Sequence, residues 1–246
     1  NVSKLIRYLK MKELTTLAII PARGGSKSIP KKNIVDLHGI PLIAHSINTA
    51  KQTSLIDKTI VSTDSEEIKD ISLQFGAEVP FLRPEDIAQD HTPDLPVFIH
   101  CLKWLAQNQD YVPDFVIHLR PTTPFRDISV IEDCINLMKK NLNADSLRVV
   151  TISKEHPYKM WTFQPGSLYL KPLLNSDIDE PYNQPRQALP TTFFQPGYID
   201  VIRTNTILQK NSMSGDNILG HVLKDSTIVD IDDQLSLDFS RFLSHE

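Results

Sequence analysis

The sequence predicts an α/β fold with a mostly parallel sheet and helices on both faces. Short apolar segments that suit buried strands alternate with longer segments whose apolar residues recur at helical spacing. This alternation is typical of βαβ units, and the right-handed crossover rule places their helices on both sides of one sheet. The chain has 246 residues, 40% hydrophobic and 23% charged, which suffices for one large domain with an ordinary core.

The first units lie near the start of the chain. The run 17–22 is apolar and ends at two glycines, so we expect a buried strand that leads into a loop. Pro41 is expected to open a helix. A second strand is predicted at 58–63, after which Asp64 and Glu67 form a capping box for the next helix.

The alternation continues through the middle of the chain. The predicted elements there are a short strand at 77–81, a helix at 96–107, a strand at 115–119, a helix at 127–140 and a strand at 145–152. The sheet is expected to resume at 198–203, and a last helix starts near Gln234.

The segment 153–195 breaks this pattern. Seven of the 17 prolines fall between Pro157 and Pro196, and no helical period persists there. Such a long irregular stretch usually has a purpose, so we expect an arm with short strands that builds part of a site or packs on a partner subunit. We therefore predict one domain at 13–246 that includes this arm, preceded by an extension at 1–12.

Composition excludes several classes of function. A formal net charge of −4 argues against a nucleic-acid binder, which usually has a clustered basic face. No apolar run approaches the roughly 18 residues that a membrane span needs. Cys101 and Cys134 show neither metal-ligand spacing nor a disulfide framework, so a reducing, cytoplasmic location is expected.

The loop 23–33 carries the most chemical information. Four cations, Arg23, Lys27, Lys31 and Lys32, surround a pair of glycines directly after the first strand. Glycines allow the backbone to approach a ligand closely, and the cations suit a polyphosphate. The loop matches neither the P-loop nor the dinucleotide pattern. A solvated basic turn is the alternative, but the carboxyl end of a strand is where open α/β sheets bind ligands.

The loop and several later motifs resemble the N-acylneuraminate (sialic acid) cytidylyltransferases. They occur in family order and span roughly residues 17–240. The matching segments are Ile20 to Asn33, Val61 to Asp64, Leu82 to Pro84, Arg120 to Arg126, His156 to Lys159, Gln184 to Gln187 and Asp230 to Asp232. The resemblance implies a three-layer, Rossmann-like nucleotidyltransferase that joins an acidic sugar to CMP from CTP and releases pyrophosphate, for surface polysaccharide biosynthesis.

The resemblance also assigns roles in nucleotide binding. Arg23 and Lys32 would contact the CTP phosphates and act in catalysis together with Asp230. The full set of expected nucleotide-binding residues is Ala22, Arg23, Gly24, Ser26, Lys27, Lys32, Asn33 and Arg83. Such a set fits nucleotidyl transfer, where positioning and charge stabilisation supply most of the rate.

Asp230 and Asp232 would ligate Mg²⁺ in such an enzyme. On a strand, residues two apart face the same way, so both carboxylates could meet one ion. Mg²⁺ usually takes one or two carboxylates together with phosphate oxygens and waters. The alternative, considered on the residues alone, is a solvated acidic turn, since Asp233 lies beside them.

The resemblance places the sugar site near the arm. The expected sugar-binding residues are Arg120, Thr122, Thr123, Lys159, Arg186 and Asp200. In the family this arm mediates dimer formation, so a homodimer is implied in which Lys159 and Arg186 reach into the neighbour's sugar site. Surface cations are the alternative for both.

The chain departs from the family pattern at three places. Ser28 replaces a usual glycine, and Arg120 replaces a usual glutamine. Pro196-Gly197-Tyr198-Ile199-Asp200 stands where Asn-Gly-x-Ile-Tyr is common, which removes one amide and adds a carboxylate. A guanidinium only donates hydrogen bonds, whereas an amide both donates and accepts. Because two of these changes fall on the sugar side, we expect CTP use with a nine-carbon acid other than N-acetylneuraminate, such as legionaminic or pseudaminic acid.

Three other functions remain open at this stage. A 3-deoxy-manno-octulosonate cytidylyltransferase would resemble this chain, but usually carries Arg-Leu-Pro where Ser28-Ile29-Pro30 stands. A nucleotidyltransferase acting on a sugar 1-phosphate would need a further phosphate site. A non-catalytic nucleotide-binding regulatory module would need neither Asp230 nor Asp232.

Overall fold

A computed structural model describes residues 14–224 and 228–243. The strands of its main sheet are β1 Thr16–Pro21, β4 Lys58–Ser62, β5 Phe115–His118, β6 Ser146–Ile152, β9 Phe193–Phe194, β10 Asp200–Arg203 and β11 Ile218–Val222. Their order across the sheet is β11-β6-β10-β5-β1-β4, and β9 pairs with the far end of β6. β1 is parallel to β4 and β5, β11 is parallel to β6, and β10 is antiparallel to both of its neighbours. The predicted mostly parallel α/β sheet is therefore confirmed.

The helices cover both faces of this sheet. They are α1 Leu42–Gln52, α2 Glu66–Gln74, α3 Asp94–Gln109, α4 Ile128–Lys140, α5 Thr204–Leu208 and α6 Gln234–Phe242. In β1, Ala18 and Ile20 pack with the cluster that includes α1 and α4, whereas Leu17 and Ile19 pack with α3. Alternate side chains of a strand face opposite ways, so burial on both faces explains why this strand is apolar throughout.

A third cluster fixes the end of the chain near the first loop. Ile29 of the loop and Leu42 of α1 pack against Val229, Ile231 and Leu237. All five are almost fully buried. This packing carries the segment that precedes α6 to the carboxyl edge of the sheet, about 200 residues away along the sequence from the loop it contacts.

The predicted cap of α2 was wrong by one residue. Ser65, not Asp64, accepts the hydrogen bond from the N–H of Ile68, and Glu67 pairs with Lys31 instead of closing a capping box. The Asp64 carboxylate accepts the N–H of Gly24 instead. A serine hydroxyl caps a helix as well as a carboxylate does, so Asp64 is left to hold the loop.

Some short elements were missed, and one predicted strand is smaller than expected. Among them, α5 and β11 had no predicted counterpart, because α5 is a single turn and β11 is a half-exposed edge strand whose pattern is weak. The predicted strand at 77–81 forms only one isolated bridge, between Glu78 and Ile60, and a second bridge just after it joins Leu82 to Thr63.

The arm contains a small antiparallel hairpin. Its strands are β7 Trp161–Phe163 and β8 Leu170–Pro172, and both are exposed. A second hairpin near α1 pairs β2 Asp36–Leu37 with β3 Ile40–Pro41. The predicted extension at 1–12 lies outside the described residues. Among the described helices, none combines the length and the apolar character that crossing a bilayer requires.

Candidate active site

The loop after β1 approaches the end of β4 through a close backbone contact. The N–H of Gly24 donates to the Asp64 carboxylate at 2.8 Å. A Cβ at residue 24 would lie 3.0 Å from the Cβ of Ser65, so a larger residue would push the loop away from this position. The Asn33 amide donates to the Arg23 carbonyl at 2.9 Å and ties the two ends of the loop together.

The loops that follow β1, β4 and β5 enclose a cleft of about 440 Å³. The carboxyl ends of these parallel strands meet at one edge of the sheet, which is where the position of the loop 23–33 predicted a ligand site. The cationic side chains in its described wall are Arg23, Lys27, Lys32, Arg83 and Arg120, and the carboxylates are Asp90 and Asp94. The excess of positive charge inside a cleft concentrates the field and favours a small polyanion.

Asp90 neutralises two of the loop cations. Its carboxylate forms ion pairs with Arg23 and Lys27, and the hydrogen bond from Lys27, followed by that from Arg23, lowers its pKa. The side chains of Arg23 and Asp90 are about one-third exposed, and that of Lys27 is 85% exposed. Exposed pairs of this kind are weak, so an incoming phosphate can displace the carboxylate.

Arg83 is held much more firmly than the loop cations. It is 6% exposed, and its guanidinium donates to the Ser62 hydroxyl at 3.1 Å and to the Ser62 carbonyl. Burial lowers its pKa, while the nearby carboxylates of Asp64 and Asp94 act in the opposite direction. It therefore presents a fixed cationic group to the cleft from the bridge region next to β4.

Lys32 and Asp232 meet at the mouth of the cleft. The Lys32 ammonium lies 3.1 Å from an Asp232 carboxylate oxygen, although 200 residues separate them along the chain. The N–H of Ile231 donates to the Thr122 carbonyl at 2.8 Å and anchors the segment. Ile231 is buried while Asp230 and Asp232 are exposed, so the predicted alternation is present without a regular strand.

The acidic pair fits a magnesium ion of the kind predicted. Both carboxylates are exposed, and Asp232 pairs with Lys32 of the cleft wall. Carboxylate oxygens are ligands that Mg²⁺ takes, with phosphate and water completing its sphere. Within residues 14–224 and 228–243 there is no group of three or more potential metal-binding side chains. A preformed all-protein cage is therefore absent from the described part of the chain, and the pair suits an ion that arrives with its nucleotide.

Other predicted nucleotide residues divide into two groups. Ser26, Asn33 and Arg83 line the cleft. Ala22 is fully buried and its N–H donates to the Ser62 carbonyl at 3.0 Å, while the N–H of Gly24 is used by Asp64. Neither N–H is free for a ligand, so these two residues shape the loop.

The predicted sugar residues of the β5 loop are only partly brought together. Arg120 and Thr122 line the cleft. Thr123 is fully buried, with its hydroxyl 3.4 Å from the Gly197 carbonyl, and Asp200 is 2% exposed. The prediction that the side chains of Thr123 and Asp200 touch the sugar is therefore not supported, because both are covered by protein. Asp200 pairs instead with Arg120.

The predicted sugar residues of the arm lie apart from the cleft. Lys159 donates to the carbonyls of Tyr182 and Gln184, and Arg186 donates to those of Ser153 and Lys154. Both cations are exposed and neither is in the cleft wall of the same chain. Their predicted reach into a neighbouring subunit stays a prediction.

Four residues near the cleft were missed from the sequence. Asp90 and Asp94 lie in its wall, His118 ends β5 inside it, and Arg148 of β6 pairs with Asp200. His118 is 1% exposed, and burial lowers its pKa well below the ordinary value, followed by the effect of Arg120. His118 was detectable in principle, since a histidine that ends a predicted strand just before a site loop sits at the ligand edge.

Comparison with known proteins identifies the family. A family model described as cytidylyltransferase matches residues 17–162, which is more than half of the chain and includes all three loops of the cleft. The protein is a member of the cytidylyltransferase family. This family is the one that the loop and its later motifs resemble, and the cationic cleft lies within the matched region.

Two of the following three relatives of the chain are named for an acid. The chain is 46% identical to the CMP-N,N'-diacetyllegionaminic acid synthase of Legionella pneumophila over 50% of this chain and 53% of that protein. It is 28% identical to a pseudaminic acid cytidylyltransferase of Campylobacter jejuni over 94% of this chain and 96% of that one. The Campylobacter coli post-translational flagellin modification protein B is 30% identical over 94% and 95%. The first of these alignments thus spans about half of the relative's length.

Solved structures share the fold of this cytidylyltransferase. A CMP:2-keto-3-deoxy-manno-octonic acid synthetase solved with CTP matches with a TM-score of 0.68 at 17% identity, over 93% of this chain and 97% of that one. The 4-diphosphocytidyl-2C-methyl-D-erythritol synthase of Anaerococcus prevotii matches with a TM-score of 0.62 at 14% identity, over 94% and 98%. At such identities the likeness establishes the Rossmann-like nucleotidyltransferase architecture alone.

Proposed function

We propose that this cytidylyltransferase transfers CMP from CTP to a nonulosonic acid and releases pyrophosphate. The observation that carries the proposal is the cationic cleft at the carboxyl edge of the sheet, whose wall includes Lys32, with Asp232 paired to that lysine. A cluster of cations around one cleft suits a triphosphate, and the family membership favours cytidine as its base.

The proposed reaction asks the protein chiefly for positioning. A sugar hydroxyl oxygen attacks the α-phosphorus of CTP and gives up its proton to water, and the bond from that phosphorus to the bridging oxygen breaks as pyrophosphate leaves. Arg23 and Lys27 bind the departing phosphates once these displace Asp90, and Lys32 offsets the charge that develops at the α-phosphorus. Arg83, fixed by Ser62, orients the nucleotide. These cations stay in place while negative charge shifts along the triphosphate.

We propose Mg²⁺ as the metal, bound by Asp230 and Asp232 together with CTP. When bound, it would neutralise phosphate charge and make the attacking hydroxyl more acidic. Asp232 would exchange its ion pair with Lys32 for the metal, which frees the ammonium for the phosphates. Replacing Asp232 by Asn should therefore raise the Mg²⁺ concentration needed for half-maximal rate. An unchanged Mg²⁺ dependence would remove this residue from the metal site.

For the sugar, we propose a legionaminic- or pseudaminic-type acid in preference to N-acetylneuraminate. The support is the pair of residues, Arg120 and Asp200, that departs from the sialic acid pattern and meets beside the cleft. The relative named for legionaminic acid, 46% identical over half of this chain, supports the first of these acids. A clear preference for N-acetylneuraminate in a substrate panel would contradict it.

We also propose that the protein works as a homodimer in a reducing compartment. The arm exposes many large apolar side chains, among them Phe163, Leu168, Tyr169 and Phe194, which is unusual for a surface that stays in water. Both cysteines are buried and unpaired. Light scattering should give a molar mass twice that of one chain. The double variant Phe163→Ser/Tyr169→Ser should lower this mass toward that of a single chain. A monomer in the unaltered protein would rule the dimer out.

The deciding experiment measures pyrophosphate release with Mg²⁺, each of the four nucleoside triphosphates and a panel of acidic sugars. Release with CTP and one nonulosonic acid only is the expected result. Turnover with 3-deoxy-manno-octulosonate or with a sugar 1-phosphate instead would support the proposed use of CTP and contradict the proposed sugar acceptor. CTP binding without any turnover would contradict the proposed catalysis.

A further inference from the structure

A row of charged side chains crosses the sheet beside the cleft. Asp200, the first residue of β10, pairs in register with His118 of β5 on one side and with Arg148 of β6 on the other. Residues directly opposite each other on neighbouring antiparallel strands share a face, so the three side chains lie side by side. With 2% exposure, the Asp200 carboxylate would be costly without well-placed partners.

The partners of Asp200 satisfy both of its oxygens. Arg120 donates from both terminal nitrogens to one oxygen at 3.1 Å. Arg148 lies 3.0 Å from the other oxygen, which also accepts the Gln195 amide at 2.9 Å. Arg148 is held in turn by the Ser214 hydroxyl at 2.6 Å. Arg148 and Gln195 thus fix the Asp200 carboxylate on the side away from the cleft, and the carboxylate in turn holds Arg120 on the cleft side.

Arg120 is restrained along its stem as well as at its head. A Cβ at Gly197 would lie 3.4 Å from the Arg120 Cδ, so the turn before β10 packs directly on the stem. Gly197 has φ +71°, a conformation that favours glycine and keeps this turn close. Asp94 lies 3.6 Å from the guanidinium on the cleft side. Unlike Lys27, this cation has little freedom to reorient.

We infer that Asp200 is a positioning residue that holds Arg120 in the cleft wall, so that the cleft presents fixed hydrogen-bond donors to an acceptor oxygen of the sugar. The inference rests on the proposed function for the identity of the ligand. A guanidinium has donors only, and those not used by Asp200 remain for a ligand. An acyl carbonyl oxygen of a diacylated nonulosonic acid has the chemistry to accept them. Arg148 and Gln195 act through Asp200 and touch no substrate.

A second carboxylate at the same sheet provides a matched control. Asp145, just before β6, accepts from Lys210 at 2.8 Å and from the N–H groups of Asp216 and Asn217 at 2.9 and 3.0 Å. It is also largely buried, but none of these partners belongs to the cleft. Loss of charge at Asp145 should weaken the fold without altering sugar recognition.

The first test compares the kinetics of Asp200→Asn, Asp145→Asn, Arg120→Gln and the double variant Arg120→Gln/Asp200→Asn. We expect Asp200→Asn to raise the KM for the sugar about tenfold while the Kd for CTP stays within about twofold. The double variant should be no worse than the poorer single variant, because Asp200 acts through Arg120. Asp145→Asn should lower the melting temperature and leave the sugar KM unchanged. Equal losses for sugar and CTP, or independent effects in the double variant, would overturn the inference.

A second measurement does not depend on the sugar. With ¹⁵N-labelled arginine, the Arg120 guanidinium, assigned by its loss in Arg120→Gln, should show resolved, slowly rotating N–H signals in the unaltered protein. Asp200→Asn should merge them, and Gln195→Ala should do so partly if Asp200→Asn does not fold. Unchanged signals would overturn the positioning role. Merged signals in a protein that turns over no nonulosonic acid would refute the proposed function and keep the positioning role.

Discussion

The two ends of the cleft hold their cations in opposite ways. On the loop after β1, Arg23 and Lys27 pair with the exposed Asp90. At the other wall, which Arg120 lines, the guanidinium groups of Arg120, Arg126 and Arg148 are bound to buried oxygens of the sheet and its turns. Exposed pairs contribute little and exchange readily, whereas desolvated ones are costly to break. The loop is thus suited to reversible binding of a ligand, whereas the wall is suited to keeping a rigid binding surface.

The largest expected effect is a loss of folding stability when Arg126, which lies behind the rigid wall, is replaced. The Arg126 guanidinium donates to the carbonyls of Tyr198 and Arg120 and to the Ser46 hydroxyl, and burial lowers its pKa to about 9. Arg126→Met leaves these oxygens without donors, so we expect a loss of about 3 kcal/mol in the free energy of unfolding by urea denaturation. Lys69→Met, at an exposed pair within α2, serves as the control and should leave the midpoint unchanged. Similar midpoints for both variants would contradict the claim that the buried contacts of Arg126 stabilise the fold more than an exposed ion pair does.

The next effect is on catalysis at the loop. Lys32→Met should lower kcat roughly a hundredfold or more, because it removes a fixed positive charge beside the reacting phosphorus. Its neighbour Lys31 is 66% exposed and pairs with Glu67 outside the cleft. Lys31→Met should therefore keep kcat within about twofold. Comparable losses in the two variants, measured by pyrophosphate release, would show that general loop charge matters and not the position of Lys32.

A smaller effect concerns the exchange of Asp90 for phosphate. Asp90→Asn should tighten CTP binding about two- to fivefold, because Arg23 and Lys27 no longer have to leave an ion pair. Calorimetry at low salt measures this, and raised salt should shrink the difference. Asp86→Asn on the same loop is the matched control, with no change expected. Weaker CTP binding in Asp90→Asn would mean that the carboxylate contributes to the bound state.

The smallest effect appears only in acid. Hydrogen bonds from Lys210, and then from the N–H groups of Asn217 and Asp216, lower the pKa of Asp145 from 3.8 to about 2. Because the folded-state pKa is depressed, this contribution to stability is present above about pH 4 and is lost as pH falls toward 2. Asp145→Asn should flatten the decline in stability between pH 4 and 2. A decline as steep as in the unaltered protein would assign it to other carboxylates.

Much of the site followed from local pattern. The cations of the loop were predictable because glycines and basic residues directly after a buried strand lie at the ligand edge of the sheet. The pair Asp230 and Asp232 was expected from the family resemblance, and the structure shows both exposed with Ile231 buried between them. Asp64 was misassigned because a capping signal and a loop contact use the same carboxylate, and only the neighbouring Ser65 decides between them.

By itself, the sequence determined the α/β class, the order of its principal elements and the position of the cationic loop, because these depend on periodicity and on residues close together along the chain. Only the tertiary structure decided that Asp200 faces Arg120 and Arg148 instead of the cleft, and that Asp90 neutralises Arg23 and Lys27. Those pairings join residues far apart in sequence. They follow from strand order and register, in which the antiparallel β10 inserts between β5 and β6.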